Sequence, residues 1–341
     1  MENILYQGDN LQALRAHIPD ASIGLIYLDP PFGSQRDYVL QGTTAASAGE
    51  SEAQAFRDVW AWDEAAFTCF RRENACPPLT AVLTALVKAR HRDPLAAYLV
   101  MMTPRLIETQ RVLSLTGSLY LHCSPAASHY LKILLDALFG PDNFRREIVW
   151  RSGWVSGFKT RARNWVRNHD ILLYYVRDHR RFIFQREARV RPHPPGYARR
   201  GGGASPLGIA LDDVWDEPAL YSPWIKSFSQ EKCGYATQKP LALLERIVQV
   251  SSAPGDCVLD PCCGGGTTLL AAQALGRRWI GIDCSPQAIA LTRQRLEGSE
   301  YRFQMLGDWE LSREQERRAT AEENAPGEDS RKRGPGHGPE D

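Results

Sequence analysis

The sequence predicts an α/β protein built on a doubly wound, mostly parallel sheet. Short apolar runs alternate along the chain with segments of helical apolar spacing, and this alternation is typical of parallel sheets. Two of the apolar runs end in Asp-Pro, at Asp29 and Asp260. The second is followed by a glycine-rich turn and a helix, which is how a strand–helix unit that binds a nucleotide-like ligand begins.

The predicted strands are short apolar runs bounded by turn residues or charged residues, too short to be helices. They cover residues 3–7, 22–28, 117–123, 169–177, 257–261 and 278–283. The predicted helices are longer and carry apolar residues three and four positions apart. They cover residues 11–17, 95–115, 129–140, 241–252 and 267–276. Residues 33–60, centred on TTAASAGES, have neither pattern and are predicted to form a loop that acts as a mobile flap.

Composition shifts divide the chain into four regions. We predict an α/β half at 1–145, an insert at 146–235 whose first strands join the core sheet, and a second α/β half at 236–305. The tail, 306–341, is charged, contains Gly and Pro and has few apolar side chains, which predicts disorder.

The overall composition is that of a soluble globular protein, with 24% charged and 43% hydrophobic residues. The first residues have neither a basic segment nor an apolar one, so no signal peptide is predicted. The eight cysteines form no C-x-x-C pair, which favours reduced thiols over disulfides or a metal site. We therefore expect a cytoplasmic protein without a metal.

A basic segment lies within the predicted insert. Residues 145–200 contain 14 Arg and 1 Lys against 4 acidic residues, a net charge of +11. Nine aromatic residues lie among them: Trp150, Trp154, Phe158, Trp165, Tyr174, Tyr175, Phe182, Phe184 and Tyr197. Arginine neutralises phosphates and aromatic rings stack on bases, so this composition favours a nucleic-acid surface. The alternative is a solvated basic face with some rings in a core.

The turn in DCVLDPCCGGGTTLLAAQALGRRWIGID, residues 256–283, predicts a nucleoside site. Glycines let the backbone approach a ligand, and an acidic residue at the tip of the next strand can hold ribose hydroxyls. The spacing is not G-x-G-x-x-G, and no Lys-Ser/Thr pair follows. A nucleoside without phosphates is therefore favoured over a dinucleotide or ATP.

Four motifs in this order resemble the beta class of DNA amino-methyltransferases: LDPPF (28–32), ATQKPLALLERIV (236–248), VLDPCCGGGTT (258–268) and WIGID (279–283). The resemblance spans Gly8 to Leu296. It implies a circularly permuted, Rossmann-like methyltransferase fold with a target-recognition insert, and S-adenosyl-L-methionine as cofactor. In that class the catalytic motif precedes the cofactor motif.

The resemblance also implies a set of cofactor-binding residues. They are Asp9, Thr237, Lys239, Asp260, Gly264, Gly266, Thr267 and Asp283. Asp283 would hold the ribose, Asp9 would lie near the adenine, and the T-Q-K-P segment would lie near the methionine end. Asp9 and Thr237 are also explained as helix N-caps, and Lys239 as a surface charge. Cys262-Cys263 and Gly265 depart from the usual family pattern, so the resemblance assigns no cofactor contact to position 262.

The chemistry of amino methylation explains Asp29-Pro30-Pro31-Phe32. An exocyclic amino group is a poor nucleophile because its lone pair is delocalised into the base. The Asp29 carboxylate and the Pro30 carbonyl can accept its two hydrogens, and proline holds the backbone rigidly. Phe32 offers a face on which a flipped base can stack. Arginine and lysine of the insert would contact duplex DNA: Arg151, Lys159, Arg161, Arg163 and Arg167.

The sequence leaves several alternatives open. Asp rather than Ser at the first motif position favours adenine N6 over cytosine N4 as the target in the resembled family. A catalytically silent DNA-binding protein and an RNA methyltransferase remain alternatives of other classes. A Cys262 nucleophile is disfavoured, because Cys262 lies in the predicted cofactor turn. The resemblance implies a prokaryotic or phage setting, with the protein on the nucleoid. A separate restriction endonuclease partner, a solitary role, a monomer and a homodimer all stay open.

Overall fold

A nine-stranded sheet organises the protein. The computed structural model describes residues 2–39, 54–73, 76–155, 163–191, 208–223, 229–235 and 237–307. The centre of the predicted flap, Lys159, Arg161 and the predicted disordered tail from 308 onward lie outside these residues. The strands in chain order are β1 (Ile4–Gln7), β2 (Ile23–Leu28), β3 (Arg36–Val39), β4 (Gln54–Asp58), β5 (Leu113–Cys123), β6 (Phe144–Arg151), β7 (His169–Val176), β8 (Val190–Arg191), β9 (Ile209–Ala210), β10 (Val214–Trp215), β11 (Cys257–Asp260), β12 (Arg278–Asp283) and β13 (Arg302–Met305).

Helices connect most of the strands. They are α1 (Asn10–His17), α2 (Glu64–Glu73), α3 (Pro77–Ala89), α4 (Pro94–Val112), α5 (Pro125–Phe139), α6 (Leu241–Ser251), α7 (Thr267–Ala274) and α8 (Pro286–Arg295). Several begin or end at residues with clear capping roles. Asp93 accepts the Ala96 N–H at the start of α4, and Gly140 ends α5 with φ +85°. Among the described residues, no helix is both long and apolar enough to cross a membrane.

The predicted mostly parallel sheet is confirmed. The strand order is β10-β6-β7-β5-β2-β11-β12-β1-β13, and β7 alone runs antiparallel to its neighbours. The other six neighbouring pairs are parallel. The predicted circular permutation and the four-region division stay predictions. Strands β6 and β7, which lie at the start of the predicted insert, are part of this sheet.

Apolar side chains cover both faces of the sheet. In β2, Ile26 and Leu28 join one core cluster, whereas Leu25 and Tyr27 join the other, as the two-residue period of a strand requires. The first cluster includes residues of α1, α3, α4 and α5, and the second includes residues of α6, α7 and α8. The helices therefore lie on both faces, which makes the fold doubly wound.

Some local predictions were wrong. Residues 33–60 were expected to be a loop, but the described part contains β3 and β4, which pair antiparallel. Helix α4 ends at Val112, three residues before the predicted end of that helix. Strand β5 begins at the next residue, Leu113. Helix α2 (EAAFTCFRRE) lacked a predicted counterpart because only Phe67 and Phe70 of its residues are buried.

The strand order brings β2 beside β11 at the centre of the sheet. Leu25 pairs with Val258 and Ile26 with Leu259, so the two strands end at the same edge. Asp29 follows β2, and Asp260 ends β11. In an open α/β sheet, ligands bind outside the carboxyl ends of the strands.

Gly117 allows β2 and β5 to approach where their pairing is irregular. Ile23 pairs with Leu113 but Leu25 pairs with Ser118, so the register shifts between them. A Cβ at residue 117 would lie 2.9 Å from the Ile23 carbonyl oxygen. We predict that Gly117→Ala lowers the free energy of unfolding by about 1–3 kcal/mol through overpacking, measured by denaturant unfolding.

The matched control is Gly307→Ala, where an added Cβ would have nothing within 4 Å. Its unfolding midpoint should equal that of the wild type. Equal stability of both variants would contradict the proposed close approach at residue 117.

Candidate active site

Asp29 is the first residue after β2, and its carboxylate is already engaged. Lys239 donates a hydrogen bond from Nζ to Asp29 Oδ2, and both side chains are largely buried. Nδ1 of the buried His122 lies 3.7 Å from Asp29 Oδ1. Asp29 Oδ1 accepts no hydrogen bond of ordinary length from the described residues. One oxygen of the carboxylate is therefore available to a further donor.

Asp58 holds the segment that follows the two prolines. Its carboxylate accepts hydrogen bonds from the backbone N–H groups of Phe32, Gly33 and Ser34, at 3.2, 2.9 and 2.7 Å. Trp60 Nε1 donates a fourth at 2.9 Å. Asp58 is 1% exposed, so this set of donors is what compensates its burial. Nothing in the sequence pattern indicated this role, because Asp58 lies in the segment predicted to be a loop.

The Phe32 ring lies beside His122 and Lys239, the two side chains that approach the Asp29 carboxylate. Its centroid is 5.3 Å from that of the His122 ring and 5.5 Å from Lys239 Nζ. Phe32 is only partly buried. The ring therefore keeps surface on which a planar ligand could stack.

The glycine-rich turn after β11 has the backbone conformation that its sequence predicts. Gly264 and Gly266 have φ of +51° and +76°, where residues with a Cβ are strained. A Cβ at residue 264 would lie 2.8 Å from the Tyr235 ring. Asp260 Oδ1 accepts the Cys262 N–H at 3.1 Å within the same turn.

Asp283 joins the end of β12 to this turn. Its Oδ2 accepts the Gly264 N–H at 2.8 Å, and its Oδ1 accepts the Ser285 N–H at 2.9 Å. Burial raises the pKa of Asp283, although these backbone N–H groups lower it in part. The carboxylate retains a lone pair that could accept from a ligand hydroxyl.

Asp9 and Asn10 connect β1 to the same edge. Asp9 Oδ1 accepts the N–H groups of Leu11 and Gln12, which confirms its N-cap role in α1. Its Oδ2 accepts from Arg105 at 2.7 Å. Asn10 Nδ2 donates to the Pro261 carbonyl at 3.0 Å and so ties α1 to the glycine-rich turn. The cofactor role of Asp9 stays a prediction.

Lys239 of the T-Q-K-P segment contacts the Asp29-Pro30-Pro31-Phe32 motif. Lys239 was also explained as a surface charge, and that explanation is wrong because its ammonium binds Asp29. The N-cap explanation of Thr237 is wrong as well, since Pro240 occupies the N-cap position of α6. The Thr237 carbonyl accepts from Lys239 Nζ at 3.3 Å. Thr267 begins α7, and its Oγ1 accepts from Arg295 at 3.1 Å.

The cysteines of the turn are poorly suited to nucleophilic chemistry. Burial raises the pKa of the Cys262 and Cys263 thiols, and the charges of Asp283 and Asp260 raise it further. A thiolate is the nucleophilic form, so this environment disfavours a Cys262 nucleophile. Within the described part of the chain, no three His, Cys, Asp or Glu side chains group as metal ligands.

The three predicted DNA-contacting arginines that the structure describes, Arg151, Arg163 and Arg167, are exposed. Arg151 follows the buried part of β6, and its guanidinium lies 5.8 Å from the Tyr221 ring centroid. Arg163 is exposed, and Arg167 donates to the Asp170 carboxylate. Trp165, between them, is 97% exposed. An exposed aromatic ring among arginines is typical of nucleic-acid surfaces.

The fold and the site define a Rossmann-like protein with a glycine-rich turn at the carboxyl edge of the central strands, where such proteins bind nucleosides. Two solved structures share this fold. TTHA0409 from Thermus thermophilus, described as a DNA modification methylase and crystallised with S-adenosyl-L-methionine, is 17% identical with a TM-score of 0.51, over 90% of this chain and 99% of its own. The cytosine-N4-specific PvuII DNA methyltransferase is 14% identical with a TM-score of 0.55, over 86% of each chain.

Residues 23–294 match the N6/N4 methyltransferase family model, described as DNA methylase, and the chain belongs to that family. It is 26% identical to the Type II methyltransferase M.BamHI of Bacillus amyloliquefaciens, over 89% of this chain and 59% of M.BamHI. It is 31% identical to the DNA adenine methyltransferase YhdJ of Escherichia coli K12, over 56% of this chain and 64% of YhdJ. The chain thus spans about three fifths of the length of these relatives.

We predict that Asp58→Ala releases the segment after the prolines. Three backbone N–H groups lose their acceptor, so the free energy of unfolding should fall by about 1–3 kcal/mol. Hydrogen exchange at the Gly33 and Ser34 amides should become faster than in the wild type. Asp142→Ala, at an exposed aspartate, is the control and should leave both amides unchanged. Wild-type exchange rates in Asp58→Ala would show that the segment is held by other contacts.

Asp260 should make stability depend on pH. Burial raises its pKa to about 7, although Thr268 and the Cys262 N–H lower it in part. Between about pH 4 and pH 7 the unfolded carboxyl is ionised while the folded one stays protonated, so the folded state binds more protons. Stability should therefore fall as pH rises, by about 1.4 kcal/mol per pH unit from this group.

The measurement is denaturant unfolding of wild type and Asp260→Asn from pH 5 to pH 8. The difference between the two proteins isolates Asp260 from the other carboxyl groups. Asn at residue 260 should remove this part of the slope. Parallel stability curves for the two proteins would refute the raised pKa.

Proposed function

We propose that this protein transfers a methyl group from S-adenosyl-L-methionine to the N6 amino group of a flipped-out adenine, at a specific sequence in duplex DNA. One observation carries the proposal. The Asp29-Pro30-Pro31-Phe32 motif stands at the carboxyl end of β2, directly beside the strand that ends in Asp260 and the glycine-rich turn. This adjacency supports a reaction between an amino group held at Asp29 and a nucleoside-type cofactor held at the turn.

The residues of the turn fit S-adenosyl-L-methionine. A Cβ at Gly264 or Gly266 would collide with Tyr235 or Thr292, so the two glycines let the turn keep its tight backbone, and Asp260 and Asp283 end neighbouring strands with carboxylates. These acceptors suit the hydroxyl and amino groups of a nucleoside that lacks phosphates. When bound, the cofactor supplies an electrophilic methyl group on a sulfonium. The crystallisation of TTHA0409 with this cofactor supports the assignment.

Asp29 is placed to activate a weak nucleophile. The Lys239 ammonium takes one carboxylate oxygen, while the other oxygen can accept a hydrogen from the target amino group. The Pro30 carbonyl would accept the second hydrogen. Phe32 would stack on the extruded base, since its ring lies beside His122 and Lys239, which both approach the Asp29 carboxylate. Orientation and electrostatics then supply the rate enhancement.

Adenine is favoured over cytosine N4 for two reasons. The motif begins with Asp rather than Ser, which is commoner among the adenine enzymes that this sequence resembles. The relative YhdJ is named a DNA adenine methyltransferase. The likeness to the cytosine-N4-specific PvuII enzyme extends to the fold only, at 14% identity. Cytosine N4 is the second candidate, with the same roles for Asp29 and Pro30.

Duplex DNA would bind along the exposed basic residues of the insert. Arg151, Arg163 and Arg167 can reach phosphates or guanine edges, and the exposed Trp165 can stack on a base. Lys159 and Arg161 extend this set in the sequence. A restriction endonuclease partner and the oligomeric state stay predictions from the resemblance.

The test is to incubate the protein with labelled S-adenosyl-L-methionine and either duplex DNA of mixed sequence or structured RNA, then digest the nucleic acid and identify the modified nucleoside. We expect the modified nucleoside to be N6-methyldeoxyadenosine. N4-methylcytosine would establish the second candidate. Label in RNA and none in DNA would overturn the substrate, and no label in either would overturn the activity.

Asp29→Ala should lower the methylation rate by about 1,000-fold or more, because the acceptor of the amino hydrogen is lost. Binding of S-adenosyl-L-methionine, measured by calorimetry, should remain close to that of the wild type. Asp142→Ala is again the control and should retain the wild-type rate. Turnover by Asp29→Ala near the wild-type rate would refute the role of the carboxylate.

A further inference from the structure

A buried histidine connects the catalytic carboxylate to the predicted DNA-contacting face. Leu28 pairs with Leu121, which places His122 of β5 opposite Asp29. His122 is 0% exposed, and its ring lies between two aromatic rings, with the centroids of Phe32 and Trp150 each 5.3 Å away. The imidazole therefore has little freedom to tilt without moving the ring of Phe32.

The hydrogen-bond partners of His122 assign its tautomer. Tyr27 Oη lies 2.7 Å from His122 Nδ1. Burial and the nearby charges of Asp29, Asp260 and Asp170 raise the pKa of Tyr27, so its hydroxyl stays protonated and is able to donate to Nδ1. Nε2 faces the carboxylate of Asp170, which can only accept, so we assign the ring proton to Nε2 and the acceptor role to Nδ1.

The Nε2–H group has a carboxylate in front of it but no hydrogen bond of good geometry. Asp170 Oδ2 is 3.5 Å from Nε2, and Nε2 is buried without a hydrogen-bond partner in the described structure. Burial alone would raise the pKa of Asp170, but His122 and Arg167 lower it below its ordinary range. Asp170 is thus an anion shared between a buried imidazole and an arginine.

Tyr27, His122, Asp170 and Arg167 form a row of contacting side chains, and Arg167 lies at its outer end. It donates from Nη2 to Asp170 Oδ1 and from Nε to the His169 carbonyl at 3.2 Å, and half of its side chain is exposed. A DNA phosphate would compete with Asp170 for this guanidinium. Asp170 would then depend on its remaining donor, His122 Nε2–H, and that contact would shorten.

We propose that His122 is a positioning residue through which DNA bound at Arg167 aligns Asp29 and Phe32. In this arrangement the row Tyr27, His122, Asp170 and Arg167 has a loose state without DNA and a tight state with it. The long Nε2 contact is the loose state. The inference rests on the proposed function, because it assigns Arg167 to DNA and Asp29 to the target amino group.

The direct test uses ¹⁵N-labelled histidine and NMR, which does not depend on turnover. His122 should show a protonated Nε2 and an unprotonated Nδ1, and its signals should shift when duplex DNA is added. Arg167→Gln should shift them in the free protein. The exposed His129 is the internal control and should not move in either experiment. His122 signals that respond to neither DNA nor Arg167→Gln would overturn the proposal.

Kinetics provide the second test. His122→Asn retains a polar group near Nδ1 but loses the Nε2 contact, so kcat should fall by about 100-fold, as misplacement of a catalytic group does. The Kd values for S-adenosyl-L-methionine and for DNA should change little. His129→Asn is the control and should keep the wild-type kcat. A purely structural role predicts a lower melting temperature with an unchanged kcat, and this result would also overturn the proposal.

A double-variant cycle tests the coupling itself. If His122 transmits the effect of Arg167, the kcat of His122→Asn combined with Arg167→Gln should be no lower than that of His122→Asn alone. Multiplicative effects on kcat would mean that the two residues act independently. If His122→Asn fails to fold, Asp170→Asn combined with Arg167→Gln replaces it in the same cycle. Absence of any methylation by the wild type would refute the proposed function. The NMR response to Arg167→Gln would still show whether His122 is coupled to Arg167.

Discussion

The site depends on the parallel pairing of β2 with β11. Each strand is short and buried on both faces, and pairing in this direction makes both end at one edge of the sheet. The residues that follow them, Asp29 and the turn beginning at Pro261, are therefore neighbours although they come from opposite ends of the sequence. If this pairing were antiparallel, the two motifs would lie at opposite edges and could not serve one reaction.

This arrangement concentrates negative charge, which the protein compensates differently at each carboxylate. Lys239 pairs with Asp29 and Arg105 pairs with Asp9, whereas Asp283 accepts backbone N–H groups. Asp260 accepts a backbone N–H as well, and burial raises its pKa to about 7. Asp29, which we assign to activation of the target amino group, is thus the carboxylate that forms an ion pair with a lysine. Asp260, at the start of the glycine-rich turn, has a pKa at which its protonation changes near neutral pH.

Several determinants of the site could not be read from the chain. Asp58 is one acidic residue among many in an irregular segment, and only folding brings its carboxylate to three consecutive N–H groups. Lys239 was predicted for its motif, but its partner was not, because no sequence pattern relates α6 to the end of β2. In the sequence, His122 is one polar residue near the end of an apolar strand, and nothing in that pattern marks it. Its importance follows from its register opposite Asp29.

The sequence alone determined the α/β class, six strands of the main sheet, five of the described helices and the two glycine positions of the turn, because periodicity and backbone strain are local properties. It also determined that Asp29 follows one strand and that Asp260 ends another. Only the tertiary structure decided strand order, the antiparallel direction of β7 and the pairing of Asp29 with Lys239 rather than with another cation. The reason is physical: burial and ion pairing depend on which distant segments share an edge of the sheet, and that is settled by the packing of the whole core.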